Sequence, residues 1–317
     1  MSRAAAALLA LLACLAGAAG AATGRSPLGT VTARMAPVKP ICAYPPSNSP
    51  TTAVAYGNAV TSRAKHPYAT IPWWVRSDGT WFMCGATLVS SRIVITAAHC
   101  LDDSWGAPTH VTIGMLSWSD SAGTYQKIAV QSATRHPSYN PNTLDNDIAI
   151  IVLKSAANIT KNAPAVLPAA NLSLEKKKLV VAGYGTTEDG AVARVLKEAS
   201  LPYINKNTCK TNARTTYYLN IPVTDRMMCA GGAKTTSGTA YYDACPGDSG
   251  GPLIYQASST AAKQLVGVVS WGLDLPCGQS PFGAYSDLRT LKKWVCCKVR
   301  RLLTAGACRD VPTTTTC

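Results

Sequence analysis

The stretch DACPGDSGGP, residues 243–252, sets a serine between an aspartate and two glycines, and five of its ten residues are Gly or Pro. Serine is a weak nucleophile at neutral pH, so Ser249 needs a base supplied from elsewhere in the chain and an orienter for that base. Asp243, six positions earlier, is a candidate for choosing what Ser249 attacks. Outward from this turn, from Val54 to about Cys297, short β-favouring runs alternate with turn formers. They include ATLVSSRIVITA (86–97), HVTIGML (110–116), QKIAVQSA (126–133), DIAIIVL (147–153), KLVVAGYG (178–185) and QLVGVVSWG (264–272). That pattern predicts an all-β protein, as barrels or sandwiches. Only SDLRTLKKWVCCKVRRLL (286–303) reads as helix, with Leu288, Leu291, Val295 and Val299 on one side.

At 317 residues the chain is long enough for one large or two medium domains. Hydrophobic content is 47% and charged residues only 15%, with 24 glycines and 20 prolines, which favours a strand-rich globular protein over a helical or disordered one. The opening residues have a basic start at Arg3, an Ala-rich apolar run and a small-residue exit, the pattern of a secretory signal peptide over 1–22. Residues 23–53, rich in Pro, Ser and Thr, read as an exposed pro-segment. NAPAVLP (162–168) suits a crossing between two halves of a domain spanning 54–297, and a Cys/Thr-containing tail, its threonine run expected to be flexible, occupies 298–317. Secretion makes disulfides the default for the eleven cysteines left after Cys14 departs. The formal charge is +14; from Val54 onward 26 Lys/Arg stand against 16 Asp/Glu, a balance of +10. No aromatic-interleaved basic motif marks a nucleic-acid partner, and no segment beyond the leader approaches a bilayer span, so neither nucleic acid nor membrane is expected.

Four histidines could serve Ser249: His66, His99, His110 and His136. VITAAHC ends an apolar run on His99 beside a cysteine that can pin its loop. LDNDIAIIVL starts another run at Asp147, where burial could hold a carboxylate against an imidazole. Taken in order, ITAAHC, NDIAI, GDSGGP and VSWG closely resemble the chymotrypsin/trypsin-like serine peptidases over about residues 54–297. The resemblance implies two packed six-stranded antiparallel β-barrels with a C-terminal helix, and the site between them. It makes His99 the general base, Asp147 its orienter (in preference to Asp145) and Ser249 the nucleophile, with backbone N–H groups of Gly247 and Ser249 as the oxyanion hole. Asp243 would floor a pocket for Arg or Lys, lined by Gly272 and Gly283. Ser270 would support Asp147, and residues 270–272, with Trp271 at their centre, would pair with substrate backbone. Ala244 replaces a frequent hydroxyl residue there, which favours Arg over Lys.

Asp248 would bind the α-amino group freed at Val54 when the pro-segment is cut. Ala53 precedes that junction instead of Arg or Lys, so self-activation is not expected. The implied disulfides are Cys84–Cys100, Cys209–Cys229 and Cys245–Cys277. The pairing of Cys42, Cys296, Cys297, Cys308 and Cys317 stays open, as does a disulfide-linked dimer through the tail. SWSDSAGTYQ (117–126) lacks the glutamates of calcium-binding relatives, so no metal or other cofactor is expected. Asn158 and Asn171 are glycosylation sequons. The function implied is a secreted endopeptidase acting on proteins or peptides after Arg or Lys. The alternative is a catalytically silent homologue that binds an extracellular protein.

Overall fold

The computed structural model describes residues 54–101, 104–188, 192–213, 222–273 and 275–314. The expected signal peptide and pro-segment lie outside the described residues.

Two closed six-stranded antiparallel barrels form the protein. The first uses β2 (Ala69–Val75), β4 (Ala86–Leu88), β5 (Ile93–Thr96), β6 (His110–Ile113), β7 (Gln126–Arg135) and β8 (Ala149–Leu153), and β3 (Trp81–Met83) adds to β2. Its order is β2-β4-β5-β8-β7-β6, closing back onto β2. The second uses β9 (Lys178–Gly183), β10 (Lys197–Ile204), β11 (Met227–Gly231), β12 (Pro252–Tyr255), β13 (Gln264–Gly272) and β14 (Phe282–Asp287). It runs β9-β10-β11-β14-β13-β12 and closes onto β9, while β1 (Asn58–Ala59) pairs with β10. Closure removes the exposed sheet edges that would otherwise invite aggregation.

The strand sequences follow from that geometry. β5 and β8 read IVIT and AIIVL because they are buried almost throughout. β7 carries its polar residues outward and is half-exposed along its length. Residues 162–168 join the barrels: Ala165 N–H donates to Leu88 O of β4, and Val166 bridges Gln264 of β13.

Among the described residues there are two α-helices, α1 (Lys206–Thr211) and α2 (Leu288–Val299). Asp287 caps α2 by accepting from Arg289 N–H at 2.9 Å. Leu288, Leu291, Val295 and Val299 are buried, as their spacing predicts. Among the described residues no helix is long and apolar enough to cross a membrane.

Beyond α2 the chain folds back against the first barrel. Cys296 bonds Cys308, Val311 is buried in the apolar cluster that α2 shares with the first barrel, and the Arg300 guanidinium donates to the carbonyls of Cys308, Val311 and Pro312. Lys292 donates to Pro168 O at 2.9 Å and pairs with Asp310, which in turn accepts from Ala170 N–H. The tail therefore grips the end of the inter-barrel crossing, and Cys296 and Cys308 are consumed within the chain.

Candidate active site

His99 lies on a single 3-10 turn, Ala98–Cys100, that ends β5. Asp147 stands two residues before β8, the strand paired with β5, so neighbouring strands of one sheet deliver both groups. The His99 backbone N–H donates to Asp147 Oδ1 at 2.8 Å, and His99 Nδ1 meets Oδ2 at 2.8 Å. Ser270 Oγ donates to the same Oδ2 at 2.5 Å, and Ser286 Oγ to the Asp147 carbonyl at 2.6 Å. Asp147 is fully buried. Burial alone would raise its pKa, but the His99 charge and these donors outweigh burial and hold the carboxyl below its usual value. Burial likewise opposes charge on His99, yet Asp147 wins and lifts the imidazole above its ordinary value.

Asp145, two residues away, has a different role. It accepts from Arg226 Nε at 2.9 Å and Thr224 Oγ1 at 2.6 Å, and its second oxygen pairs with Arg226 Nη2. It ties the loop before Asp147 to the second barrel.

Ser249 occupies a turn built by the carboxyl of Asp248 and the backbone around it. Asp248 N–H bonds Cys245 O, Gly251 N–H bonds Asp248 O, and Gly250 N–H bonds Val269 O of β13. Gly247 has φ +95°, a conformation that L side chains rarely adopt, which fixes glycine at this position. The turn is tied to the His99 loop around Ser249 O, which faces Cys100 Sγ at 3.7 Å. Gly85 N–H donates to Ser249 O at 2.7 Å, while the adjacent Cys84 is bonded to Cys100. A Cβ on Gly85 would lie 2.7 Å from Gly251 Cα, so only glycine lets the two segments meet.

Asp243 is 7% exposed, and burial pushes its carboxyl up to about 8. A Cβ on Gly283 would fall 3.5 Å from Asp243 Oδ1 and 3.3 Å from Tyr285 Oη, whereas none of the described atoms comes within 4 Å of that position on Gly272. The buried Tyr285 hydroxyl has no hydrogen-bond partner among the described residues. Trp271 is buried beside Gly272. Cys245–Cys277 closes the loop behind Asp243, and Cys209–Cys229 ties α1 to β11. Asp248 is fully buried; burial pushes it up to about 6, against donors from Gly185 N–H at 2.8 Å and Cys245 N–H at 2.9 Å. Val54 is fully buried among Leu174, Leu179 and Val181, and Ala55 bridges Asp243.

His99 and Asp147 are thus joined directly, and Ser249 is joined to the His99 loop through Gly85 and Cys100. The other histidines lie elsewhere: His66 pairs with Glu198, His110 stacks on Trp73, and His136 packs on Trp294. Ser286, Tyr285, Thr224 and Arg226 were not singled out from sequence, because isolated polar residues in strands and loops carry no local signal. Among the described residues no group of three or more His, Cys, Asp or Glu is placed to hold a metal ion.

The trypsin family model matches residues 59–295. Clotting factor C of Tachypleus tridentatus is 30% identical over 285 residues, covering 84% of this chain and 27% of the relative. Transmembrane protease serine 9 of Rattus norvegicus is also 30% identical, over 84% of this chain and 24% of the relative. Trypsin alpha of Drosophila melanogaster is 33% identical over 72% of this chain and 82% of its own length. The chain therefore spans 27% and 24% of the two long relatives, but most of the trypsin.

Proposed function

The chain belongs to the trypsin family of serine peptidases, and we propose that it is a secreted endopeptidase that hydrolyses peptide bonds after Arg and, less readily, after Lys. Ser249 Oγ attacks the scissile carbonyl while His99 Nε2 takes its proton. Asp147 holds the imidazole in the required tautomer and stabilises its charged form. The oxyanion is received by the backbone N–H groups of Gly247 and Ser249. His99 then gives the proton to the leaving amine, the acyl-enzyme forms, and water repeats the sequence to release the acid and free Ser249. The observation that carries this reading is the buried Asp147 carboxylate, held at once by His99 Nδ1 and Ser270 Oγ. No role in a purely binding scaffold requires a carboxylate to be committed to an imidazole in this way.

Asp243, buried with an elevated pKa beside Gly283, supports the choice of a cationic side chain. Asp248, buried and accepting from the backbone N–H groups of Gly185 and Cys245, with the Ala55 N–H directed at the Cys245 sulfur, supports receipt of the Val54 amine after cleavage by another protease. The test is cleavage profiling on a peptide panel, using protein processed to a Val54 amine beside a Ser249→Ala control. Cleavage after Arg and Lys, lost in the control, is the expected result. Cleavage after other residues would remove the role given to Asp243 alone. A folded, processed protein without turnover would transfer the assignment to the silent homologue.

A further inference from the structure

Positive charge is unevenly spread along this chain. Residues 288–317 carry seven Lys/Arg against one acid, Asp310, so under a tenth of the sequence holds +6 of the +10 found from Val54 onward. The fold sorts those seven by task. Lys292 is spent on Pro168 O and Asp310, Arg300 on three tail carbonyls, and Arg289 on Asp287. Lys293, Lys298, Arg301 and Arg309 remain, all four exposed, and the acids of this surface, Asp287 and Asp310, are already taken. The helix dipole favours a cation in the last turn of α2, which accounts for Lys298 but not for Lys293 or Arg309. Like charges three positions apart repel, and Lys298 and Arg301 stand so across the end of α2.

The contacts of the tail hold these cations together. Lys293 and Arg301 are two turns apart, roughly 12 Å along α2 and the 3-10 turn Arg300–Leu302. The Cys296–Cys308 bond, with Cα atoms 5.7 Å apart, sets Arg309 against the same helix. Ser90 Oγ donates to Leu302 O at 2.6 Å, which brings Arg301 to the turn before β5. There the Arg92 guanidinium, held by Leu153 O at 2.9 Å, adds a fifth cation. Among described residues 288–314 the one exposed large apolar side chain is Leu302, while Trp294 is buried.

We propose that α2 and the tail form a docking surface for a sulfated polysaccharide. Such a polymer repeats anionic sulfates along a chain. A cluster of cations without unpaired acids complements it by charge, and counterions are released on binding. An anionic lipid surface would call for apolar or aromatic anchors beside the cations, and single-stranded nucleic acid for exposed rings on which bases stack. This surface offers Leu302 alone. The four disulfides fit an oxidising compartment, where sulfated polysaccharides are abundant and nucleic acids scarce. The proposal stands apart from the peptidase reading, because its cations lie outside the triad and the pocket.

The test titrates the full chain with a heparin fragment of defined length across a range of salt concentrations. The slope of log K against log salt should be about −3, as for about four neutralised sulfates. Lys293→Glu combined with Arg301→Glu should lower the affinity about tenfold or more and roughly halve the slope. Lys127→Glu combined with Lys210→Glu changes net charge equally on β7 and α1, and should cost less than about threefold. Thermal midpoints check the fold of each variant. Lys293→Gln combined with Arg301→Gln, expected to lose about fivefold, decides the matter if the glutamate pair does not fold. Equal losses in the two charge-reversed pairs would show that net charge alone attracts the polymer, and would overturn the proposal. Desulfated heparin bound as tightly as heparin would overturn it too. So would tighter binding of duplex DNA, or of vesicles containing phosphatidylserine.

Discussion

Asp147 of the first barrel and Asp243 of the second are both shut away from water, yet they stand in opposite states. Asp147 accepts from the His99 backbone, the His99 ring and Ser270, and its pKa lies below the usual range. Asp243 lies beside Gly283 and the Tyr285 hydroxyl, and burial pushes it up to about 8. Burying a carboxylate costs free energy unless donors replace the lost water. The first barrel supplies those donors from its own chain, so Asp147 is complete before any ligand arrives. The second barrel offers Asp243 the Ala244 backbone N–H, too little to offset burial, and a substrate cation can satisfy the rest. One buried acid is suited to orienting a partner residue, and the other to recognising something from outside.

The largest effect should come from removing the charge of the completed acid. Asp147→Asn keeps the shape but favours the wrong imidazole tautomer, and kcat should fall about 10⁴-fold, the loss this change causes in a serine protease triad. KM for an Arg peptide should stay nearly constant, because Asp147 does not touch the pocket. Asp243→Ala should show the complementary pattern. Selectivity for Arg over apolar residues should drop by the equivalent of about 2–5 kcal/mol, roughly 30- to 5,000-fold in kcat/KM, with His99 and Ser249 still able to cleave other bonds slowly. A similar loss on every substrate would show that Asp243 supports the fold of the site and does not select.

The pKa contrast gives a pH signature. The folded, empty protein holds a proton on Asp243 up to about pH 8, whereas an unfolded aspartate loses it near pH 3.9. Its contribution to stability is therefore full below about pH 3.9 and is lost as pH rises through 8. Asp243→Asn should flatten that decline in thermal unfolding. Binding of a cation such as benzamidinium requires the ionised carboxylate, so below pH 8 its affinity should weaken about tenfold per pH unit. An affinity that is flat from pH 6 to 8 would mean that the empty pocket already holds a charged Asp243.

The strands were legible because closed sheets bury long apolar runs such as DIAIIVL, whereas the two barrels and the places of His99, Asp147 and Ser249 came from the resemblance carried by ITAAHC, NDIAI, GDSGGP and VSWG. What stayed hidden depends on contacts between distant residues. Nothing near Ser286 says that its hydroxyl reaches the Asp147 carbonyl, 139 positions away. Cys296 and Cys297 are adjacent, so spacing alone could not choose which bonds Cys308. Composition marks only the threonine run of the tail as flexible, and nothing in it signals that Arg300 and the Lys292–Asp310 pair fasten the residues just before that run. Trp73, Trp81 and Trp118 lie in three strands or turns, and their meeting follows only from barrel closure.

The smallest expected effect tests whether Asp147 and its neighbour Asp145 are truly separate. Asp145 is paired with Arg226, whose side chain is 43% exposed, so solvent screens the pair and its contribution should be at most about 1 kcal/mol. Burial opposes ionisation of Asp145, but the Arg226 and Thr224 donors outweigh it and lower its pKa. That contribution is thus present above the unfolded aspartate value and disappears as pH falls through the lowered folded value. Arg226→Ala should cost a few degrees of Tm at neutral pH and low salt, less at high salt, and leave kcat/KM within about twofold. Thr224 would still hold Asp145, and His99 and Ser270 would still hold Asp147. A loss of kcat approaching that of Asp147→Asn would show that the second barrel positions Asp147 through Arg226. Orientation of the imidazole would then be a property of both barrels, and the division between a completed acid and a waiting one would no longer follow the boundary between them.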